Sequence, residues 1–162
     1  QKWCAQIIQD EQRHTLMMSG LAYRNGQDSA VVHFPKSNRV SLKEMANHNA
    51  LTGCIGETWS AVELMYQSEQ APKYNAVFKR IAQDETTHAE FSWALHDWLM
   101  SKLSDIERAE IIDSMMRVLA VSPPTKCDSA ISMGEMDAAT MERAWRVFAQ
   151  QVETMVDEQR VA

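Results

Sequence analysis

One polar hexapeptide pattern occurs twice in this chain of 162 residues. It reads QDEQRH at residues 9–14 and QDETTH at residues 83–88, so each copy has the form Gln-Asp-Glu-x-x-His. Residues three apart are neighbours on the surface of an α-helix, with β-carbons about 5–6 Å apart. Each copy therefore directs a carboxylate and an imidazole to one point if its segment is helical. The repeat predicts two helices that carry the same polar pair.

The chain contains more Glu-x-x-His matches than its composition would give by chance. With 13 Glu and five His in the chain, about 0.4 Glu-x-x-His matches are expected by chance. Two are present, and each falls on a stripe of apolar residues with helical spacing. The alternative is that the two copies are solvent-exposed polar patches whose sequences match by chance. The first stripe is Ile7, Glu11, His14, Met18 and Leu21, and the second is Phe78, Ile81, Glu85, His88, Ser92, Leu95 and Leu99.

The rest of the chain is also predicted to be helical. It contains only five Gly and four Pro, and no alternating run of β-branched residues indicates a strand. Capping-box sequences that begin at Ser41 and Ser104 mark two helix starts, and Pro72 suits the first position of a third. We therefore expect an all-α protein with helices over about 2–23, 41–70, 72–102, 104–120 and 137–158.

Charge and cysteine content exclude some classes of partner. The net charge is −6 and no segment is dense in Lys or Arg, so nucleic acid and anionic membranes are not expected partners. No apolar run approaches the roughly 20 residues that a membrane span needs. There are three cysteines, Cys4, Cys54 and Cys127. An odd number of cysteines without a CxxC pair predicts buried reduced thiols. This favours a reducing compartment such as the cytoplasm, although a targeting segment would lie upstream of residue 1.

The two Glu-x-x-His pairs are candidate metal ligands. Glu11, His14, Glu85 and His88 offer mixed oxygen and nitrogen ligation, which suits iron or manganese, and bridging carboxylates can hold two such ions. A buried Glu and His without partners would be energetically costly. A bound metal removes that cost.

Glu57 is the fifth candidate ligand. On an α-helix it shares a face with small residues, including Gly53 and Ser60, which would leave space for a second ion, a bridging carboxylate or O2. Glu63 is the alternative, but it lies on a different face. Gly inside a helix costs about 1 kcal/mol relative to Ala, so Gly53 and Gly56 predict close helix packing or space beside a site.

An aspartate precedes the glutamate in each copy of the pattern. Asp10 and His14 are four residues apart, as are Asp84 and His88. A metal-bound imidazole usually donates its other N–H to a carboxylate or a carbonyl. We expect Asp10 and Asp84 to accept this hydrogen bond, on the same helix or from a facing one, and simple solvation is the alternative.

Together these motifs resemble the ferritin-like di-iron carboxylate superfamily, and more narrowly bacterial ferritin-like domain proteins of unassigned activity. The superfamily pattern is a lone Glu, a Glu-x-x-His, a second lone Glu and a second Glu-x-x-His on four successive helices. The resemblance covers about residues 4–100 and carries over five of six ligands. It implies a ferritin-like antiparallel helix bundle as a single domain 1–162, with a core bundle over 2–103 and extra C-terminal helices over 104–160.

The resemblance leaves the sixth ligand unassigned. The chain begins where the second helix of the pattern should begin, so the helix with the first lone Glu is expected elsewhere. It could belong to a longer form of the protein or to another subunit, including a second copy in a homo-oligomer. Glu142 or Glu153 of the C-terminal helix is the internal alternative.

The function that the resemblance implies is that of a di-iron oxidoreductase that activates O2 or peroxide. Two iron ions are expected, with manganese or a mixed manganese and iron pair as alternatives. A ferroxidase for iron storage or detoxification and a non-catalytic helical scaffold with a relic metal site are the competing interpretations. His33, His48 and His96 are expected to be surface or ordinary hydrogen-bonding histidines.

Overall fold

All regular elements in the described part of the chain are helices, which confirms the all-α prediction. The computed structural model describes residues 2–27, 39–121, 123 and 133–161, with side chains as far as 157. The chain divides into two compact units, Gln1–Val40 and Ser41–Ala162. The helices are α1 (Lys2–Arg24), α2 (Leu42–His48), a π-helix (Asn49–Glu57), α3 (Thr58–Gln70), α4 (Asn75–Met100), α5 (Asp105–Leu119) and α6 (Ala138–Val161).

The first unit contains α1, which matches the predicted helix 2–23 to within one residue. Its end is set by Gly26, whose φ of 74° lies in the left-handed region that favours glycine. The Asn25 side chain donates to the Leu21 carbonyl at 2.8 Å, and the Gln27 amide donates to the Ala22 carbonyl at 3.0 Å. These bonds satisfy carbonyl groups that the helix end would leave unpaired.

In the second unit, the predicted long helix 41–70 is present as three consecutive segments, α2, the π-helix and α3. Ser41 caps it with a complete capping box, in which Glu44 bonds back to the Ser41 amide at 2.7 Å. The helical prediction is confirmed, but an α-helical register through Asn49–Glu57 is wrong. A π-helix has i→i+5 hydrogen bonds, so side chains in this segment do not follow the 3.6-residue period.

Helix α4 begins at Asn75, three residues later than predicted from Pro72. The intervening residues form a turn in which the Tyr74 amide donates to the Ala71 carbonyl at 2.8 Å. The Asn75 side chain donates to the Ser68 carbonyl at 2.8 Å, which fixes the turn to the end of α3. The predicted inner face of α4 is confirmed, since all its members are buried except the partly buried Leu95.

The core of the second unit includes α5 and α6 as well as the helices before them. Trp59 of α3 packs edge-on against Trp145 of α6, with ring centroids 4.9 Å apart, and Phe148 lies 5.4 Å from Trp59. The Trp145 indole donates to the Leu119 carbonyl at 3.0 Å, which ties α6 to the end of α5. The helices predicted as an extension over 104–160 therefore share one hydrophobic core with α2, α3 and α4.

Within the described residues, no helix combines the length and apolar character needed to cross a membrane. This finding agrees with the sequence prediction of no membrane span.

Candidate metal centre

Two carboxylates and an imidazole converge in the second unit. Glu57 ends the π-helix, and Glu85 and His88 lie one turn apart on α4. One potential ligand atom from each side chain lies within 4.8 Å of the other two. Glu85 is 7% exposed and His88 is 1% exposed, whereas Glu57 is partly exposed. Three of the five predicted ligands therefore meet within one compact unit.

The α4 contribution follows directly from the Glu-x-x-His spacing. The His88 Nδ1 atom and the Glu85 Oε2 atom are 3.5 Å apart, as expected for residues one helical turn apart. Both side chains occupy the same face as Phe78 and Leu99, which are buried. The apolar stripe that buries α4 therefore also draws the polar pair into the interior.

The π-helix positions Glu57 at its junction with α3. π-Helical turns in proteins are rare and frequently occur at functional sites. This segment contains Gly53 and Gly56, which were the only features of the sequence that marked it as unusual. Glu57 is the last residue of the π-helix, so the position of its side chain depends on where the π-helical turns end.

Gly53 allows the π-helix to approach α4 closely. A Cβ atom at Gly53 would lie 2.7 Å from Ser92 Oγ and 3.0 Å from Asn49 Oδ1. The Asn49 side-chain amide donates to the Ser92 carbonyl at 2.9 Å, which joins the two helices at the same level. The predicted close packing is confirmed at Gly53. At Gly56 an added Cβ would meet only the Leu51 carbonyl at 3.5 Å, an ordinary contact.

A second set of hydrogen bonds connects the π-helix to α3 and α4. The Thr58 hydroxyl donates to the Cys54 carbonyl at 2.5 Å, and the Trp93 indole donates to the Thr58 oxygen at 3.2 Å. The Cys54 thiol donates to the Ser92 carbonyl at 3.3 Å. Sequence reasoning did not identify Asn49, Thr58, Ser92 or Trp93 as supports of the site, because π-helical geometry decides which of them meet.

Cys54 is fully buried, as predicted for a reduced thiol. Burial raises the pKa of this thiol to about 12, and the negative charge of Asp97 adds to the effect. At neutral pH Cys54 is therefore a protonated hydrogen-bond donor. The prediction is wrong for Cys4, which is exposed near the start of α1. Cys127 lies outside the described residues.

Glu11 and His14 form the same local pair on α1, in the first unit. The His14 Nδ1 atom and the Glu11 Oε1 atom are 3.4 Å apart, so the helical prediction for this copy is confirmed. The Glu11 side chain is 53% exposed. Their role as ligands stays a prediction from the repeat.

The two aspartates have arginine partners on their own helices. Asp10 pairs with Arg13 and accepts a hydrogen bond from Gln6 at 2.9 Å. Asp84 pairs with Arg80 at 3.1 Å. Their predicted hydrogen bonds to the ligand imidazoles stay predictions.

His96 differs most from its sequence prediction. It is 1% exposed, and neither ring nitrogen has a hydrogen-bond partner among the described residues. Burial lowers its pKa, while the charge of Asp97 opposes the shift. His88, Ser92 and His96 recur every four residues, and this spacing could have identified His96 as a buried residue of the same face. The exposed His48 agrees with its prediction, and His33 lies outside the described residues.

Comparison with protein-family models, with curated proteins and with solved structures gave no match.

Proposed function

We propose that this chain binds redox-active metal through Glu57, Glu85 and His88 and works as a ferritin-like di-iron oxidoreductase. The observation that carries the proposal is the convergence of two carboxylates and one imidazole within 4.8 Å. The resemblance of the repeated Gln-Asp-Glu-x-x-His pattern to the ferritin-like superfamily supplies the reaction class.

The donor set and its burial fit a metal cation. Carboxylate and imidazole atoms bind divalent metals at about 2.0–2.2 Å, so ligands of one ion lie at most about 4.4 Å apart. Small side-chain rotations would bring Glu57, Glu85 and His88 from their present separations into that range. Two carboxylates beside each other also repel, and a cation between them removes this repulsion.

The three side chains would have different roles. Glu85 and His88 are held inside the unit by the apolar face of α4, so they would form the rigid, water-excluded part of the centre. Glu57 is partly exposed and would lie on the side through which a small molecule enters. The bound iron, or manganese, would supply the electrons for reaction with O2 or peroxide. Glu11 and His14 are proposed as further ligands from the sequence repeat alone.

Metal analysis after anaerobic loading tests this proposal. The full chain should retain Fe(II) after removal of unbound metal, and Glu57→Ala and His88→Ala should each lose it. His48→Ala is the matched control, because it removes an exposed histidine at the end of α2. Retention of iron by both site variants, or no retention by the parent chain, would contradict the proposal. Cage-sized particles in solution would instead favour iron storage.

A further inference from the structure

A groove of about 580 Å³ runs along one face of α3 in the second unit. Its volume lies within the range of small-molecule sites, and such sites are lined mainly by apolar side chains. Val62 and Met65 are 39% and 38% exposed, so this apolar face is open to a ligand. The α3 residues that line it are Thr58, Ala61, Val62, Met65, Tyr66 and Glu69.

The groove is elongated because its α3 residues follow the helical repeat. Thr58 and Glu69 are eleven residues apart, which corresponds to about 16 Å at 1.5 Å per residue. Between them, the lining side chains of α3 are apolar apart from the Tyr66 hydroxyl, and α4 adds the hydroxyl of Thr86. Met65 faces the groove together with Met136, and flexible thioether side chains adapt to ligands of varied shape. This shape suits a linear aliphatic chain.

One end of the groove carries negative charge. Glu69 is exposed and has no ion pair with any residue in the described part of the chain. It is also the next-to-last residue of α3, where the helix dipole places partial negative charge. Among the described residues, no Lys, Arg or His lines the groove. The polar end therefore suits a cation and disfavours a carboxylate.

We propose that this groove binds a linear amphiphile with a protonated amine, with the aliphatic chain along α3 and the ammonium group at Glu69. The site is distinct from the candidate metal centre in its chemistry. Three of its residues, Thr58, Thr86 and Ala89, immediately follow Glu57, Glu85 and His88 in sequence. Glu57, Glu85 and His88 do not line the groove, so the groove adjoins the centre without including its proposed ligands.

Methionine-methyl NMR of the full chain tests the proposal without any metal. Octylamine, below its micelle concentration, should shift the Met65 and Met136 methyl signals and leave the exposed Met45 signal unchanged. Octanol should bind about twofold to fivefold more weakly, which is the range expected for one exposed ion pair. Octanoate should bind more weakly than octanol.

Charge variants separate the ammonium contact from general apolar binding. Glu69→Gln should remove the preference for octylamine over octanol, while Glu90→Gln, which changes an exposed Glu of α4 outside the groove, should keep it. The proposal is overturned if octanoate binds as tightly as octylamine, or if Met65 and Met136 do not respond. It is also overturned if sedimentation shows that Met65→Lys abolishes a dimer, because a second copy would then cover this face. Glu69→Gln should still retain Fe(II), so a change in amine binding by this variant can be distinguished from a failure of the proposed metal centre.

Discussion

The two copies of the hexapeptide pattern share a local geometry and differ in their surroundings. The imidazole-to-carboxylate distance is 3.4 Å on α1 and 3.5 Å on α4. The Glu11 side chain is 53% exposed, whereas the Glu85 side chain is 9% exposed and lies beside Glu57. Helical spacing thus pairs two side chains in both places, but packing decides how strongly each carboxylate is desolvated. Electrostatic interactions strengthen as water is excluded, so we expect the α4 copy to bind a metal cation more tightly than the α1 copy.

The cysteines give the largest expected contrast between these two regions. Cys4 is exposed on α1, whereas Cys54 is buried in the π-helix with its pKa raised to about 12. Only the thiolate reacts, and at about pH 8 roughly one Cys54 in 10⁴ would be ionised. We expect iodoacetamide to modify Cys4 at least about 1,000-fold faster than Cys54 in the native protein.

Peptide mapping by mass spectrometry measures the two cysteines separately and also resolves Cys127. After unfolding in guanidinium chloride, Cys4 and Cys54 should react at similar rates, which provides the control. Equal rates in the native protein would show that the π-helix opens readily, and the contrast between the two regions would be lost.

Histidine substitutions test whether the two copies of the pattern differ in metal binding. We expect His88→Ala to weaken Fe(II) binding by at least about 100-fold, the upper range for groups that merely orient a ligand. We expect a smaller loss for His14→Ala, because the neighbouring Glu11 is half exposed and its charge is better screened by water. Anaerobic titration calorimetry gives both affinities.

His48→Ala provides the control for loss of an exposed histidine, and circular dichroism checks that each variant stays helical. Equal losses in the His14 and His88 variants would mean that the repeat alone determines metal affinity. Unchanged binding in His88→Ala would remove His88 from the proposed centre.

The sequence predicted the elements that depend on local pattern. The capping boxes at Ser41 and Ser104 begin helices as expected, because the Ser hydroxyl and the third following Glu satisfy the first amides. The Glu85 and His88 pairing was also predictable, since it needs only an α-helix and an apolar stripe. Each of these features involves residues only three positions apart in the chain.

The features that were not predicted depend on contacts between distant residues. The π-helix between Asn49 and Glu57 is accompanied by the Gly53 contact with Ser92, and no local pattern encodes that pairing. Burial of His96 likewise depends on packing around α4. On α6, Val156 is buried and Met155 is 45% exposed, because the core face continues four residues after Val152 rather than three.

Substitutions of the two glycines of the π-helix test whether close packing against α4 or backbone flexibility is the reason for glycine in this segment. Gly53→Ala places a Cβ atom 2.7 Å from Ser92 Oγ and 2.9 Å from Ser92 Cβ, so we expect a loss of about 1–3 kcal/mol in unfolding free energy. Gly56→Ala meets nothing closer than 3.5 Å and should be neutral or stabilising by up to about 1 kcal/mol. Urea denaturation measures both values.

Each glycine variant serves as the control for the other, since both make the same chemical change in one segment. A Gly53→Ala protein as stable as its parent would show that the π-helix shifts away from Ser92 at little cost. Metal binding by Gly53→Ala would then reveal whether that shift also displaces Glu57.

The smallest expected effect is the pH dependence that His96 contributes. Burial lowers the folded-state pKa of His96 below its ordinary value of 6.5, so the unfolded chain binds the proton more tightly. Stability therefore falls as pH drops through 6.5, and the loss is complete below the folded-state pKa. We expect His96→Phe, which keeps a ring against Trp93, to show a flatter decline as the pH falls below 6.5.

Urea denaturation at several pH values checks this slope against the exposed-histidine variant His48→Gln, which should retain it. Glu44 does not interfere, because its hydrogen bonds with Ser41 lower its pKa from 4.5 and its contribution is lost only in more acidic solution. An unchanged slope in His96→Phe would mean that the buried imidazole is protonated equally readily in the folded and unfolded chains. The interior beside α4 would then accommodate a charge, and the contrast between the desolvated Glu85 carboxylate and the exposed Glu11 carboxylate would carry less weight for metal binding.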